Sequence, residues 1–251
     1  MTFRNQHQYR WKDINGRDFF LPFIYFVGNL ILSMIIMTTL IVVNEVHGKG
    51  TGSFNVGLPD VATVTLEIVS FLIIFGFWIL FHRKSFKQQL YQGFHKIKRH
   101  WKLIGITFII MIVFNVIYPY LVDAFAPDQW KFEQTQNDKL IESMYQSPLA
   151  IALSFFTIVI IAPVTEEFLF RYLLIGELGK KFNFIVMSVV SVLIFASLHV
   201  TSAKSPLEIV MYIVIAVGIV YVYLKTQRSL ATAIALHAMN NLFAYILTII
   251  T

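Results

Sequence analysis

Cysteine is absent from this sequence, which removes disulfides, thiolate metal sites and a cysteine nucleophile together. Charge is scarce too. Only 14% of the 251 residues are Asp, Glu, Lys or Arg, against roughly 25% in a soluble domain. Hydrophobic residues make up 57%, and they fall in runs long enough to cross a bilayer. A cleavable signal peptide is not expected: the first apolar run, 19–43, is too long for a signal core and passes into Asn44 and Glu45 instead of a small-residue cleavage site. No internal repeat and no interdomain linker stand out. The expected fold class is therefore all-α, a polytopic transmembrane helical bundle forming a single integral membrane domain over 1–251.

Seven stretches read as spans: 19–43, 61–81, 103–125, a fourth starting at Pro148, then 184–200, 207–224 and 229–250. A re-entrant or split helix would make eight. Between the second and third spans, 82–102 carries seven Lys and Arg interleaved with Phe86, Leu90, Phe94 and Ile97, an apolar face at helical spacing. That pattern predicts an amphipathic interfacial helix on an anionic leaflet; a solvated charge run is the plainer alternative. Sixteen of the twenty Lys and Arg fall on one side of the seven-span topology, which puts the N-terminus in the cytoplasm of a multi-pass membrane protein; the expected location is a bacterial plasma membrane. The net charge of +6 thus reports topology and gives no reason to expect nucleic acid. The expected partners include membrane lipids.

Ionisable groups inside an apolar span cost roughly 2.5–3.5 kcal/mol on insertion scales, so each is a functional-site hypothesis. The sequence Pro163-Val164-Thr165-Glu166-Glu167-Phe168-Leu169-Phe170-Arg171 holds the densest group. Glu167 and Arg171 are four apart on a helix and face the same way, so they can pair and orient the segment. Glu166 points about 100° away, without a local cation, and is the candidate general base. His199 follows Phe195 by one turn. The midpoint of 166 and 199 falls between Phe182 and Asn183, just after Lys180 and Lys181. A helical hairpin turning there brings Glu166 and His199 to one height. His237, Asn240 and Asn241 add three polar side chains to the last span, with His237 and Asn241 one turn apart; they either face a polar interior or glue helices together. Two imidazoles, carboxylates and an amide can activate water in two ways. Glu166, His199 and His237 suit Zn²⁺ with an open position for water. Without metal, the same groups hold a water for Glu166 and donate hydrogen bonds to an oxyanion. A further carboxylate, Glu67 in the second span, is expected to pair with a neighbouring helix.

Glu166-Glu167-x-x-x-Arg171, Phe195-x-x-x-His199 and His237-x-x-x-Asn241, in that order on successive apolar segments, resemble the CPBP family of intramembrane proteases, also called Abi, which includes the type II CAAX prenyl endopeptidases. The resemblance covers roughly 130–250, the expected catalytic core; 1–129, with the first spans and the basic segment, carries no assignable motif. It implies a helical membrane fold with the site in a cavity between helices, and peptide-bond hydrolysis by a glutamate-dependent metalloendopeptidase. Carried over, Glu166 activates water, with Glu167 beside it. His199 and His237 bind metal or stabilise the oxyanion, and Asn241 assists. Arg171, Phe195 and Asn240 orient them. The cofactor is not fixed, although Zn²⁺ fits the ligand types. The implied substrate is a membrane-associated peptide or protein, prenylated or simply hydrophobic. Many members carry glycine after the arginine; here Tyr172 stands there. Two other readings compete: a non-proteolytic binding or regulatory protein of the bacteriocin-immunity type, and a proton-coupled transporter. The transporter is disfavoured by the lack of repeated halves with matching broken helices.

Overall fold

The structure is a computed structural model and describes residues 9–47, 58–143, 145 and 147–250; within those helices some side chains, Glu67 included, lie outside the description, as does most of the loop expected at 44–60. The described residues are overwhelmingly helical and contain no strand. Among the described residues nine longer helices run in order, beside short 3-10 turns: α1 (Phe20–His47), α2 (Leu58–His82), α3 (Phe86–Arg99), α4 (Trp101–Phe125), α5 (Gln136–Glu142), α6 (Pro148–Phe182), α7 (Phe184–His199), α8 (Glu208–Lys225) and α9 (Leu230–Ile250). The all-helical membrane architecture expected from the apolar runs is present.

Among the described residues, α4, α6, α8 and α9 are each long and apolar enough to cross a membrane, and the bent pair α2–α3 raises the number to five. Phe184–His199, expected as a span, has 16 residues, about 24 Å at 1.5 Å per residue and short of a roughly 30 Å hydrocarbon layer. The largest departure concerns the fourth span. The polar stretch 171–183 reads in the sequence as a connection after that span, yet α6 runs unbroken for 35 residues. Two stretches of α6 are π-helical, Phe156–Ile161 and Phe168–Leu178. Wider turns of this kind are frequent at functional sites.

Local chemistry explains the boundaries of these elements. Ser147 caps α6 by accepting from the Ala150 N–H at 3.1 Å, and Pro148 follows at the first turn, where its missing N–H costs nothing. Asn183 ends the hairpin with a positive φ of 78° and caps α7 through its side chain, which accepts from Ile185 N at 2.8 Å. The turn expected between Phe182 and Asn183 is therefore real.

The basic segment is also helical, as its apolar spacing predicts. α3 leaves α2 at 105°, with Leu90 and Phe94 exposed and no carboxylate in its sequence. Gly93 faces the start of α9, where an added Cβ would sit 2.8 Å from Ala231 Cβ. Only glycine permits that approach. The buried core joins α4, α6, α7, α8 and α9 through Met111, Phe170, Phe195, Ile219 and Leu236 among others. At Gly218 on α8 a Cβ would meet Met111 Sδ at 2.5 Å, so the absence of a side chain sets the α4–α8 spacing.

Candidate functional site

The hairpin of α6 and α7 delivers what its symmetry promised. Glu166 Oε2 lies 3.8 Å from His199 Nε2 and 3.9 Å from His237 Nε2, so side chains from three helices meet at one atom. That oxygen is buried and has no hydrogen-bond partner, although the Glu166 side chain as a whole keeps 27% of its surface. Glu167, one residue on, is wholly buried and binds on two sides: Oε1 is 2.8 Å from His237 Nδ1, and Oε2 is 3.1 Å from Arg171 Nε. The i, i+4 ion pair read from the sequence is therefore present, and it is extended by an imidazole.

Hydrogen-bond bookkeeping fixes the imidazoles. His199 Nδ1 is 2.8 Å from the Phe195 carbonyl, which can only accept, so Nδ1 carries the proton. His237 Nδ1 donates to the Glu167 carboxylate by the same logic. In their neutral forms both rings turn an Nε2 lone pair toward Glu166. Three acceptors then face one another across less than 4 Å, an arrangement that balances only with a proton-bearing group among them.

The walls hold these rings in place. His199 is sandwiched between Phe195, at 4.4 Å between ring centroids, and Tyr212, at 4.9 Å. Phe195 also packs edge-on to His237 and carries the Arg171 guanidinium 4.7 Å above its ring. Arg171 is fully buried, with Nη2 only 3.4 Å from the Ala216 carbonyl as a further contact. Asn241 donates from Nδ2 to the Ile158 carbonyl at 2.9 Å, and Asn240 Nδ2 reaches Asn241 Oδ1 at 3.4 Å. The reason lies in α6. Residue 163 is proline, which has no N–H to offer the carbonyl five residues back, and Asn241 supplies the missing donor.

The structure brings the tentative metal set Glu166, His199 and His237 together, with donor atoms 3.8 and 3.9 Å apart. Among the described residues no three His, Asp or Glu side chains are arranged to hold an ion. Tetrahedral Zn²⁺ with ligands at 2.0–2.1 Å needs donor atoms about 3.3 Å apart; the gaps of 3.8 and 3.9 Å are wider. Glu167 is no substitute ligand, because its oxygens serve Arg171 and His237.

Several groups that sequence reasoning missed support the site from one end. Tyr212 bonds Thr135 through their hydroxyls at 2.9 Å. Glu208, also buried, accepts from the backbone N–H of Gln136 at 2.9 Å and from Lys204 and Ser205 at 3.2 Å each. The segment 200–207, with no regular structure, is thereby pinned over His199, and Ser205 Oγ donates to the Trp130 carbonyl at 2.5 Å. Burial pushes the Asp138 carboxyl of α5 above its ordinary range, opposed by hydrogen bonds from Thr135 and by the nearby His199 ring. Glu208, four residues before Tyr212 at the start of an apolar run, was the one available signal.

At the opposite end, residues 9–19 form a strap. Tyr172 donates to Asp18 Oδ2 at 2.6 Å, and Asn15 N donates to Glu177 Oε2 at 2.7 Å. Lys180 Nζ bonds Glu177 and the Asp13 carbonyl, while Lys181 Nζ reaches the Tyr9 carbonyl and sits 4.9 Å over the Trp11 ring. Tyr172, the departure from the arginine–glycine pattern, is thus the anchor of an N-terminal segment.

Residues 148–243 match the family described as type II CAAX prenyl endopeptidase Rce1-like. No curated protein and no solved structure matches the chain. The matched stretch contains Glu166, Glu167, Arg171, Phe195, His199, His237, Asn240 and Asn241, the residues of the three polar motifs. The match supports a protease of CAAX type set in the membrane, with α1–α5 outside the matched region.

Proposed function

We propose that the chain hydrolyses a peptide bond in a membrane-associated, prenylated or hydrophobic peptide, using a water held between Glu166, His199 and His237. The observation that carries the reading is the otherwise unpartnered Glu166 Oε2, approached by two Nε2 atoms at 3.8 and 3.9 Å. A water has two protons to give, and the cluster has three acceptors. One further proton, placed on an imidazole, completes the set. His237 is the better place for it, because Glu167 lies 2.8 Å from Nδ1 and stabilises the imidazolium.

Glu166 takes a proton from the water as its oxygen attacks the scissile carbonyl carbon. The carbonyl oxygen becomes an oxyanion, and the His237 Nε2–H donates to it. As the tetrahedral species collapses, the C–N bond breaks and Glu166 passes its proton to the leaving amine. His199 keeps the water oriented through Nε2, held by its stack on Phe195 and Tyr212. Arg171 offsets the charge of Glu167, and Asn241 braces α9 against α6. The test is cleavage of a panel of prenylated and hydrophobic peptides by the purified protein in detergent, followed by mass spectrometry. Site-specific products that vanish with Glu166→Gln support the reading; equal products from that variant overturn it.

A further inference from the structure

Away from the hydrolytic cluster, α3 and the α8–α9 turn enclose a cavity of about 230 Å³. From α3 and its C-cap it is lined by Tyr91, Gln92, His95, Lys96, Arg99 and His100, and Lys225 and Gln227 close it from the turn. The α3 contribution falls at i, i+1, i+4, i+5 and i+8, a single helix face. Three permanent cations and two imidazoles thus surround one small space. Among the described residues none of Lys96, Arg99 and Lys225 has a carboxylate partner, and neither 82–102 nor 225–234 contains Asp or Glu. Lys225 lies 5.6 Å from the Tyr221 ring. His100 is also the N-cap residue of α4, a 25-residue helix whose first N–H groups receive no side-chain cap. Like charges gathered this closely, beside uncapped helix donors, call for an anion.

The position of the pocket narrows the anion's chemistry. α3 leaves α2 at 105° with Leu90 and Phe94 exposed, the posture of a helix lying along a bilayer surface. Its volume is smaller than the roughly 300–1,000 Å³ of pockets that enclose whole drug-sized ligands; it suits a headgroup whose chains stay outside. Arg and Lys together match phosphate oxygens, Arg as a fork and Lys as a point charge. We propose that this pocket binds a phosphate anion, carried on an anionic phospholipid headgroup or free in solution, through Lys96, Arg99 and Lys225. Because Gly93 places α3 in direct contact with Ala231, the anion would tie the surface helix to α9, the helix that carries His237. The proposal does not depend on the hydrolytic reading.

The test is native mass spectrometry of the full chain in detergent with phosphatidylglycerol or phosphatidylcholine added. Two charge-matched double variants are compared with wild type. Arg99→Gln/Lys225→Gln removes pocket cations from both walls, and Arg83→Gln/Lys84→Gln removes two exposed cations from the turn before α3. Each surface cation is worth about fivefold in affinity for an anionic headgroup, so the pocket pair should weaken phosphatidylglycerol retention roughly thirtyfold. The turn pair should stay near wild type, and phosphatidylcholine should be held less tightly throughout. In a second arm, inorganic phosphate competes: displacement assigns the site to phosphate itself, and persistence of the lipid assigns it to the headgroup with its chains. Equal losses in the two double variants, or equal retention of both lipids by wild type, would overturn the proposal. All four substituted side chains are on the surface, and an unchanged elution profile verifies folding.

Discussion

Adjacent glutamates should respond in opposite ways to one substitution. Glu166→Gln preserves side-chain volume and strands no buried cation, because Oε2 has only two imidazole neighbours, at 3.8 and 3.9 Å. The protein should fold and insert as before. Cleavage should fall about 10²–10⁴-fold, the contribution of a positioned general base, which is about 2.7–5.4 kcal/mol of barrier. Glu167→Gln instead takes the ion-pair partner from Arg171, whose guanidinium is fully buried and left with one long bond to the Ala216 carbonyl. Stranding a buried charge costs about 3–5 kcal/mol, a large share of a typical 5–15 kcal/mol of net stability. Unfolding followed by tryptophan fluorescence in a denaturing-detergent titration reads the stability, and peptide cleavage by mass spectrometry reads the chemistry. The double variant Glu167→Gln/Arg171→Met removes both charges and should recover much of the stability. It should not recover activity, since His237 Nδ1 still lacks its carboxylate. Wild-type cleavage by Glu166→Gln would refute the base assignment. Wild-type stability of Glu167→Gln would refute the account of the buried pair.

Three other outcomes follow from the same geometry. Burial raises the Asp18 carboxyl above its ordinary range, against the lowering effects of the Tyr172 hydroxyl and His82, with Glu177 nearby adding to the rise. The docked strap therefore favours the protonated acid: docking is strongest below the ordinary carboxylate range and weakens as pH climbs through the raised value. Hydrogen exchange of residues 9–19 should show that trend, and Asp18→Asn should flatten it. Tyr212→Phe loses only the Thr135 bond and should stay within about threefold of wild-type cleavage, whereas Tyr212→Ala removes the ring stacked on His199 and should cost about two- to tenfold more; equal rates would show that the stack does not position the imidazole. Asn241→Ala orphans the Ile158 carbonyl and should lower stability by about 1–3 kcal/mol in the same detergent titration.

The chemistry was legible because ionisable side chains in apolar helices are few and costly, so each of Glu166, Glu167, Arg171, His199 and His237 stood out. Their meeting was legible too. Equal chain lengths on either side of the Phe182–Asn183 junction put Glu166 opposite His199, and the structure turns there. The end of α6 was hidden for a physical reason. Arg171, Tyr172 and Glu177 look like the start of a polar connection because a sequence window shows no partners for them. Their partners come from elsewhere: Glu167 on the same helix, but Asp18 and Asn15 from more than 150 positions upstream. Pairing at that separation leaves no periodic signal.

Residue types show that Glu166, His199 and His237 are able to ligate, but the spacing of their donor atoms depends on how three helices pack. Here Phe195 sets much of that packing, stacking on His199, meeting His237 edge-on and lying under Arg171. One aromatic ring thus fixes both imidazoles relative to the buried ion pair. A smaller side chain at 195 would let the rings drift while leaving every titratable group in place. The separation between Glu166 Oε2 and the two Nε2 atoms is consequently a property of the apolar wall as much as of the polar residues that motif reading selects.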